Sequence, residues 1–223
     1  MPLAAGDQKM CSKSTGLTVI LADGTFPAGK EALEYLDSAS RVICCDGAAR
    51  SLVAYGREPD RIVGDLDSLS NEFKKRFADR IEHVSEQESN DLSKAFRYCE
   101  SQGYDTIVIL GATGKREDHT LGNLSLLSLY AEQLPDIKIV TDYGYFTVAK
   151  KSGSFASFPG MQVSIVPLTG NAVVSAEGLK YPMQKLHLRL WYQATLNEAL
   201  SDSFSLDFPT DCELLIYRTF KGK

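Results

Sequence analysis

The sequence predicts an α/β fold in two parts. A mostly parallel α/β sandwich domain spans residues 17–143, and a smaller antiparallel β-sandwich domain follows over 144–223. Three observations carry this reading. Short apolar runs alternate with helical segments from Leu17 to Val140, the pattern of a parallel sheet covered on both faces. After Gly144 the helical periodicity stops, and short β-favouring runs follow one another between Gly, Pro, Asn and Asp. Finally, 223 residues at 43% hydrophobic composition can bury a sizeable core, as one large domain or two small ones.

The elements follow in order. Residues 17–21 form a compact apolar strand, bounded by Gly16 and by a loop running from Ala22 to Gly29. A helix over 30–37 leads to a second buried strand at 41–45. Asp46-Gly47-Ala48 ends it, and a short helix to Tyr55 can be capped by Gly56. Ile62-Val63 is the third strand, residues 71–78 a helix, and 81–84 a weak fourth strand. Ser89 or Asn90 can cap a helix running to about Gln102, which Gly103 stops. The strongest strand lies at 106–110. A long helix from about Glu117 places Leu124, Leu127, Ala131 and Leu134 on one face, and residues 137–140 form another strand. The later strands are expected at 145–150, 162–167, 172–176, 186–192, 204–208 and 213–220.

Composition excludes several function classes. A net charge of −5 and a pI near 5.3, with no basic stripe, argue against nucleic acid as a partner. No apolar run reaches membrane-spanning length, and the polar stretch from Met1 to Gly16 reads as a loose tail without a secretory signal. Cys11, Cys44, Cys45, Cys99 and Cys212 lack C-x-x-C spacing. Neither a disulfide framework nor structural zinc is expected, and the cytoplasm is the default compartment. Cys44 and Cys45, adjacent on a strand, should face opposite sides of the sheet.

The polar residues at the strand ends carry the chemistry. Asp65 and Asp67 flank Leu66 directly after the third strand. If the chain stays extended there, both carboxylates face one spot while Leu66 faces the core. Two carboxylates held together repel unless a proton or cation intervenes, and a hard cation such as Mg²⁺ is the usual answer. An isolated D-x-D followed by Ser is also a turn signal. Asp46 ends the second strand, and Asp91 opens the helix after the fourth with Lys94 one turn on. Each has a structural reading alone: a turn, a charge on the helix dipole, a solvated face. Their shared location, at the carboxyl ends of strands where open parallel sheets bind ligands, favours a common site.

The fifth strand is followed by Gly111-Ala-Thr-Gly-Lys-Arg-Glu-Asp-His119. Gly111 and Gly114 let backbone N–H groups approach an anion, the helix start favours negative charge, and Lys115 and Arg116 add full charges. Ile109 stands where a P-loop needs its first glycine, and Arg116 where it needs Ser or Thr, so a Walker loop is excluded. No G-x-G-x-x-G occurs either. His119 is a metal-ligand or base candidate beside the commoner reading of a helix-start histidine bonding a neighbour. His83 and His187 read as structural.

These residues carry a resemblance. Cys45-Asp-Gly-Ala48, Gly64-Asp-Leu-Asp-Ser68, Gln87 through Asp91 to Lys94, and Gly111-x-x-Gly-x-Arg-x-Asp-His119 with Asn123 resemble the ordered motifs of the thiamin pyrophosphokinase family. The similarity continues through Val163-Ser-Ile-Val-Pro-Leu168 and Gly178-Leu-Lys-Tyr-Pro182, from about Leu17 to Tyr217. The resemblance implies an N-terminal α/β domain, a C-terminal β-sandwich and a homodimer with active sites between subunits. It implies pyrophosphoryl transfer from ATP to the thiamin hydroxyl, giving thiamin diphosphate and AMP. Where the family has D-Q-D-x-T-D, this sequence reads Glu86-Gln-Glu-Ser-Asn-Asp91. Where a family Ser-Asn-Glu contacts thiamin, it reads Leu196-Asn197-Glu198.

On that basis Asp65, Asp67 and Asp91 are expected to hold Mg²⁺, with Asp46 as a further ligand or anchor. Arg116 and Lys94 are expected to grip phosphate, with Gly111, Gly114, Lys115, His119 and Asn123 around the nucleotide. Asp118 either orients Arg116 or takes the hydroxyl proton. Tyr181, Asn197 and Glu198 are expected at the thiamin site. Three alternatives stand beside this one: a pyrophosphokinase for another aromatic alcohol such as a hydroxymethyl pterin, a D-x-D metal-dependent transferase or hydrolase acting on another nucleotide, and a non-enzymatic nucleotide sensor.

Overall fold

The computed structural model describes residues 16–168 and 172–222. Apart from Gly16, the expected polar tail lies outside the described residues, as does Cys11.

The alternating region forms as expected. β1 (Thr18–Leu21), β2 (Arg41–Cys45), β3 (Arg61–Gly64), β4 (Ile81–His83), β5 (Ile107–Leu110) and β6 (Lys138–Val140) are joined by helices α1 (Lys30–Ser38), α2 (Ala48–Tyr55), α3 (Asn71–Arg76), α4 (Asp91–Ser101) and α5 (Glu117–Gln133). The helix expected over 71–78 stops at Arg76 and yields to a 3₁₀ turn at Ala78–Arg80. All six strands are parallel, in the order β6-β5-β1-β2-β3-β4. β1, β2 and β5 are buried on both faces, which is why they read as continuous apolar runs. One face packs on α4 and α5, where Phe96 stacks on Tyr130 at 4.1 Å; the other carries Leu36 of α1 and Leu52 of α2. Cys45 joins the first core and Cys44 the second, on opposite faces as expected. The four described cysteines are buried free thiols.

The antiparallel region departs from the expectation in how it attaches. β7 (Gly144–Ala149) pairs antiparallel with β6 after the short turn Thr141-Asp142-Tyr143, so the sheet does not end at residue 143. β14 (Leu214–Thr219), β9 (Gln162–Pro167) and β12 (Asn197–Glu198) extend it further, giving ten strands in the order β12-β9-β14-β7-β6-β5-β1-β2-β3-β4. A second sheet, β11-β10-β13-β8, covers the antiparallel end; it comprises β8 (Gly153–Ala156), β10 (Ala172–Glu177), β11 (Met183–Leu188) and β13 (Ser203–Asp207). Val163, Ile165, Val174, Phe204, Leu206, Leu214 and Ile216 fill the space between the layers. The sandwich therefore shares one layer with the parallel sheet.

The strand expected over 186–192 is β11, and it ends at Leu188. Gln193 Oε1 accepts the N–H groups of Arg189 and Leu190 at 2.6 and 2.8 Å, which takes those donors out of a ladder and starts the 3₁₀ turn Trp191–Ala194. β8 and the two-residue β12 escape sequence reading because neither shows an apolar alternation. No helix of the described residues is long and apolar enough to cross a membrane.

Candidate active site

The chain runs from β1 outward to β2, β3 and β4, then returns to β5 on the other side of β1. The loops after β1 and β5 therefore diverge, and a crevice opens at the carboxyl ends of the strands. A cavity of about 450 Å³ lies there. Its lining includes Asp65, Asp91, Lys94, Gly114, Lys115, Arg116, His119 and Asn123, all expected at the site.

Its floor is acidic. Asp46, at the end of β2, takes a φ of 28°, a strained value for a residue with a Cβ. Its Oδ2 accepts from Ser68 Oγ at 2.5 Å and Ser68 N at 3.2 Å. Its Oδ1 is buried and has no hydrogen-bond partner among the described residues. One oxygen from each of Asp46, Asp65 and Asp91 lies within 4.8 Å of the others. Gly64 permits this approach: a Cβ there would stand 3.0 Å from Asp46 Cβ and 3.2 Å from Asp91 Oδ1. Burial pushes the Asp91 carboxyl above its usual range, Lys94 Nζ at 3.2 Å pulls it down, and Asp65 and Asp46 push it up again. Asp65 is held below its usual range, first by the Asp67 N–H. Three clustered carboxylates, one with an orphaned buried oxygen, fit a hard divalent cation.

Asp67 does not join this group. Leu66 adopts a φ of 68° in place of the extended conformation, which turns its side chain into the core and leaves the Asp67 carboxylate in solvent. The Asp67 N–H then bonds Asp65 Oδ1 at 3.1 Å, so local turn chemistry wins over the strand-like D-x-D. Asp46, nineteen positions before Asp65 and expected as a further ligand or anchor, stands in the cluster with Asp65 and Asp91.

The opposite wall is basic. Gly114 turns with φ 81°, and a Cβ there would meet Thr25 Oγ1 at 2.0 Å, so the two loops touch only because the side chain is missing. Lys115 Nζ pairs with Asp23 Oδ1 at 2.9 Å. Arg116 grips Asp118 through two bonds, Nε to Oδ1 at 3.1 Å and Nη2 to Oδ2 at 2.5 Å. That fork, with the His119 N–H, draws the Asp118 carboxyl down to about 2. Buried Asn123 donates to Ala112 O at 2.8 Å and accepts from Asn90 at 3.0 Å, while Asn90 Oδ1 caps α4 by accepting from Ser93 N. Glu86 accepts from the Ser89 hydroxyl, the Glu88 and Ser89 N–H groups and Arg97, bracing the loop that delivers Asp91.

Sequence reasoning missed Asp23 and the anchoring role of Ser68. Both lie in loops that follow strands, which is the one signal available. Tyr181, Asn197 and Glu198 line neither this cavity nor the smaller one beside it. Asn197 is buried, and its amide answers the backbone of Tyr181 with Oδ1 accepting from N at 3.0 Å and Nδ2 donating to O at 2.8 Å. Glu198 pairs with Lys180 at 3.1 Å. Tyr181 and Leu196 are exposed, as are Leu190, Trp191 and Tyr192.

Residues 32–141 match the family model described as "Thiamin pyrophosphokinase, catalytic domain", and residues 144–217 match "Thiamin pyrophosphokinase, substrate-binding domain". Thiamin pyrophosphokinase 1 of Caenorhabditis elegans is 28% identical over 198 residues, 79% of this chain and 81% of that protein. Thiamine pyrophosphokinase of Bacillus subtilis (strain 168) is 28% identical over 172 residues, covering 70% and 76%. The crystal structure of thiamin pyrophosphokinase from Geobacillus thermodenitrificans superposes with a TM-score of 0.73 at 25% identity, over 93% of this chain and 99% of that one. The yeast enzyme, at 16% identity, shares the fold with a TM-score of 0.75 over 93% and 87%.

Proposed function

The chain belongs to the thiamin pyrophosphokinase family, and from that premise we propose that it moves a pyrophosphoryl group from ATP onto the hydroxyl of thiamin. The oxygen of that hydroxyl attacks the β-phosphorus in line and gives its proton to solvent, the bond from that phosphorus to the α-phosphate oxygen breaks, and AMP leaves. Such chemistry needs positioning and charge neutralisation more than covalent help. The observation that carries the reading is the orphaned Asp46 Oδ1, buried against Asp65 and Asp91, which line a cavity whose other wall holds Lys115 and Arg116.

Asp46, Asp65 and Asp91 would hold Mg²⁺, with exposed Asp67 as a further oxygen donor. The ion would neutralise phosphate oxygens and withdraw charge from the β-phosphorus. Lys94, buried against Asp91, keeps that carboxylate ionised and oriented. Arg116, Lys115, His119 and Asn123, with the backbone of Gly111 and Gly114, receive the phosphates. The depressed Asp118 carboxyl is a weak base, which supports the role of orienting Arg116 over that of accepting a proton.

The division of labour follows the two family models. Residues 17–143 would carry nucleotide and metal, and 144–223 the acceptor. Tyr181 and Glu198 would contact thiamin, while Asn197 fixes the Tyr181 backbone. Because these residues line neither of the two cavities described, a second copy would complete the acceptor site, making the working unit a homodimer. The exposed apolar side chains of Leu190, Trp191 and Tyr192 support that arrangement. The compartment proposed is the cytoplasm. A match to a thiamin pyrophosphokinase substrate-binding domain disfavours a pterin acceptor.

The test is the product pair. Protein incubated with ATP, Mg²⁺ and thiamin should give AMP and thiamin diphosphate one for one. ADP with thiamin monophosphate would overturn the reaction type, and turnover of a hydroxymethyl pterin in preference to thiamin would overturn the acceptor.

A further inference from the structure

Each Lys or Arg side chain lining the larger cavity is already held by a carboxylate. Lys94 pairs with Asp91 and Arg116 with Asp118, close neighbours in sequence. Lys115 pairs instead with Asp23, from the loop after β1. Among the described residues neither Asp46 nor Asp65 forms an ion pair. Without a cation, an incoming anion therefore meets the uncompensated charge of Asp46 and Asp65 and no unpaired Lys or Arg.

The Asp23–Lys115 pair is not what joins its two loops. Their backbones already do so, Gly24 N donating to Gly111 O at 2.7 Å and Thr25 N to Thr113 O at 2.8 Å. Both side chains are exposed, and an exposed ion pair adds little stability. Lys115 takes a φ of 58°, a conformation that a residue with a Cβ adopts at a cost. The Asp23 carboxylate is seated where a side chain is missing: a Cβ on Gly47 would stand 2.7 Å from Asp23 Oδ2. We propose that Asp23 determines specificity by masking Lys115 against free anions, so that the cavity takes a triphosphate only together with a divalent cation. Once the cation cancels the charge of Asp46 and Asp65, Lys115 Nζ exchanges the Asp23 carboxylate for a phosphate oxygen. Repulsion by Asp23 grows with the charge of the ligand, which the cation lowers, so the free polyanion is penalised more than its metal complex. This inference rests on reading the larger cavity as a triphosphate site.

Calorimetry with inorganic tripolyphosphate, in Mg²⁺ and in EDTA, tests it. Wild-type protein should bind the probe in Mg²⁺ and at least about tenfold more weakly in EDTA. Asp23→Asn keeps the shape and removes the charge. It should tighten binding in EDTA by about fivefold or more and in Mg²⁺ by less, narrowing the preference for the metal complex. Lys115→Met should weaken binding in Mg²⁺ by about fivefold, which a lysine that only tied the loops together would not do. The mask is overturned if wild type binds as tightly in EDTA as in Mg²⁺, or if Asp23→Asn leaves the EDTA affinity unchanged, lowers it, or tightens both media by the same factor. In each of those cases wild-type binding in Mg²⁺ keeps the triphosphate site. Wild-type protein that bound no tripolyphosphate in Mg²⁺ would overturn that site as well.

Discussion

Where β2 ends, Asp46 keeps one carboxylate oxygen buried without a donor; at β12, on the far flank of the same sheet, Asn197 spends its amide on the backbone of Tyr181. The parallel half converges several loops on one crevice and leaves charge there unbalanced. The antiparallel half closes the Asn197 amide on its own backbone and leaves large apolar side chains such as Trp191 and Tyr192 exposed. Unbalanced charge selects an ion and an anion, whereas an uncovered apolar face with satisfied neighbours selects area and flat rings. One half is a pocket by itself. The other is an open wall.

The sharpest test of that contrast is to remove a charge from the pocket. Asp91→Asn should cost at least about a hundredfold in kcat, ~2.7 kcal/mol, while the melting temperature holds or rises because repulsion among the three carboxylates is relieved. Retention of more than about a tenth of wild-type kcat, a loss under ~1.4 kcal/mol, would break the metal assignment.

Next comes the basic wall. Arg116→Lys keeps the charge and removes the planar fork that Asp118 now orients. We expect kcat/KM for ATP to fall by about tenfold or more, ~1.4 kcal/mol, with the KM for thiamin little changed. Unaltered kinetics would make Arg116 a surface charge at a helix start. In the same variant the Asp118 carboxyl should titrate nearer its ordinary range, because the guanidinium is the first cause of its depression. The bond to Arg116 is intact above that ordinary range and is lost as pH falls through about 2, so its removal should leave the alkaline limb of the pH–rate profile alone.

The fold and the site were not equally legible in the sequence. The apolar strands β1, β2 and β5 announce themselves because a two-sided buried strand needs no alternation, and Gly56 and Asn90 mark helix ends by their chemistry. What escaped was long-range: the pairing of β7 with β6 that fuses the layers, and the Gln193 side chain that turns an apolar Leu-Trp-Tyr run out of a ladder. At the site, Asp65, Asp91 and Lys94 were readable from their places at strand and helix ends. That Asp67 stands outside the carboxylate cluster was not, because it depends on a positive φ at Leu66 that leucine gives no sign of adopting. The Asp23–Lys115 pair, 92 positions apart, is likewise a contact that only the fold creates.

The wall can be loosened without touching the pocket. Asn197→Ala removes the clamp on the Tyr181 backbone and leaves its partners unpaired, at a cost of about 1–3 kcal/mol of stability. A shift in the denaturation midpoint without a change in slope would report it. The KM for thiamin should rise and that for ATP should not. Equal effects on both substrates would mean that the two halves do not divide the work.

The smallest effect is expected at Leu196, where a hydroxyl-bearing residue is anticipated by the resemblance. Leu196 is 76% exposed at φ 58°, and its N–H bonds Ser164 Oγ at 3.1 Å, so the backbone is held while the side chain lies largely in solvent. Its replacement should therefore change stability by less than about 0.5 kcal/mol. A regained neutral hydrogen bond is worth about 0.5–1.5 kcal/mol, so Leu196→Ser should lower the KM for thiamin by about tenfold at most and leave that for ATP alone. Leu196→Gly, which suits the left-handed backbone but supplies no hydroxyl, separates the two contributions. If Leu196→Ser improves thiamin binding and Leu196→Gly does not, the wall meets its ligand through a polar contact at this position. If both variants bind thiamin as the wild type does, residue 196 lies off the acceptor site and the thiamin contact must come from Tyr181 and Glu198.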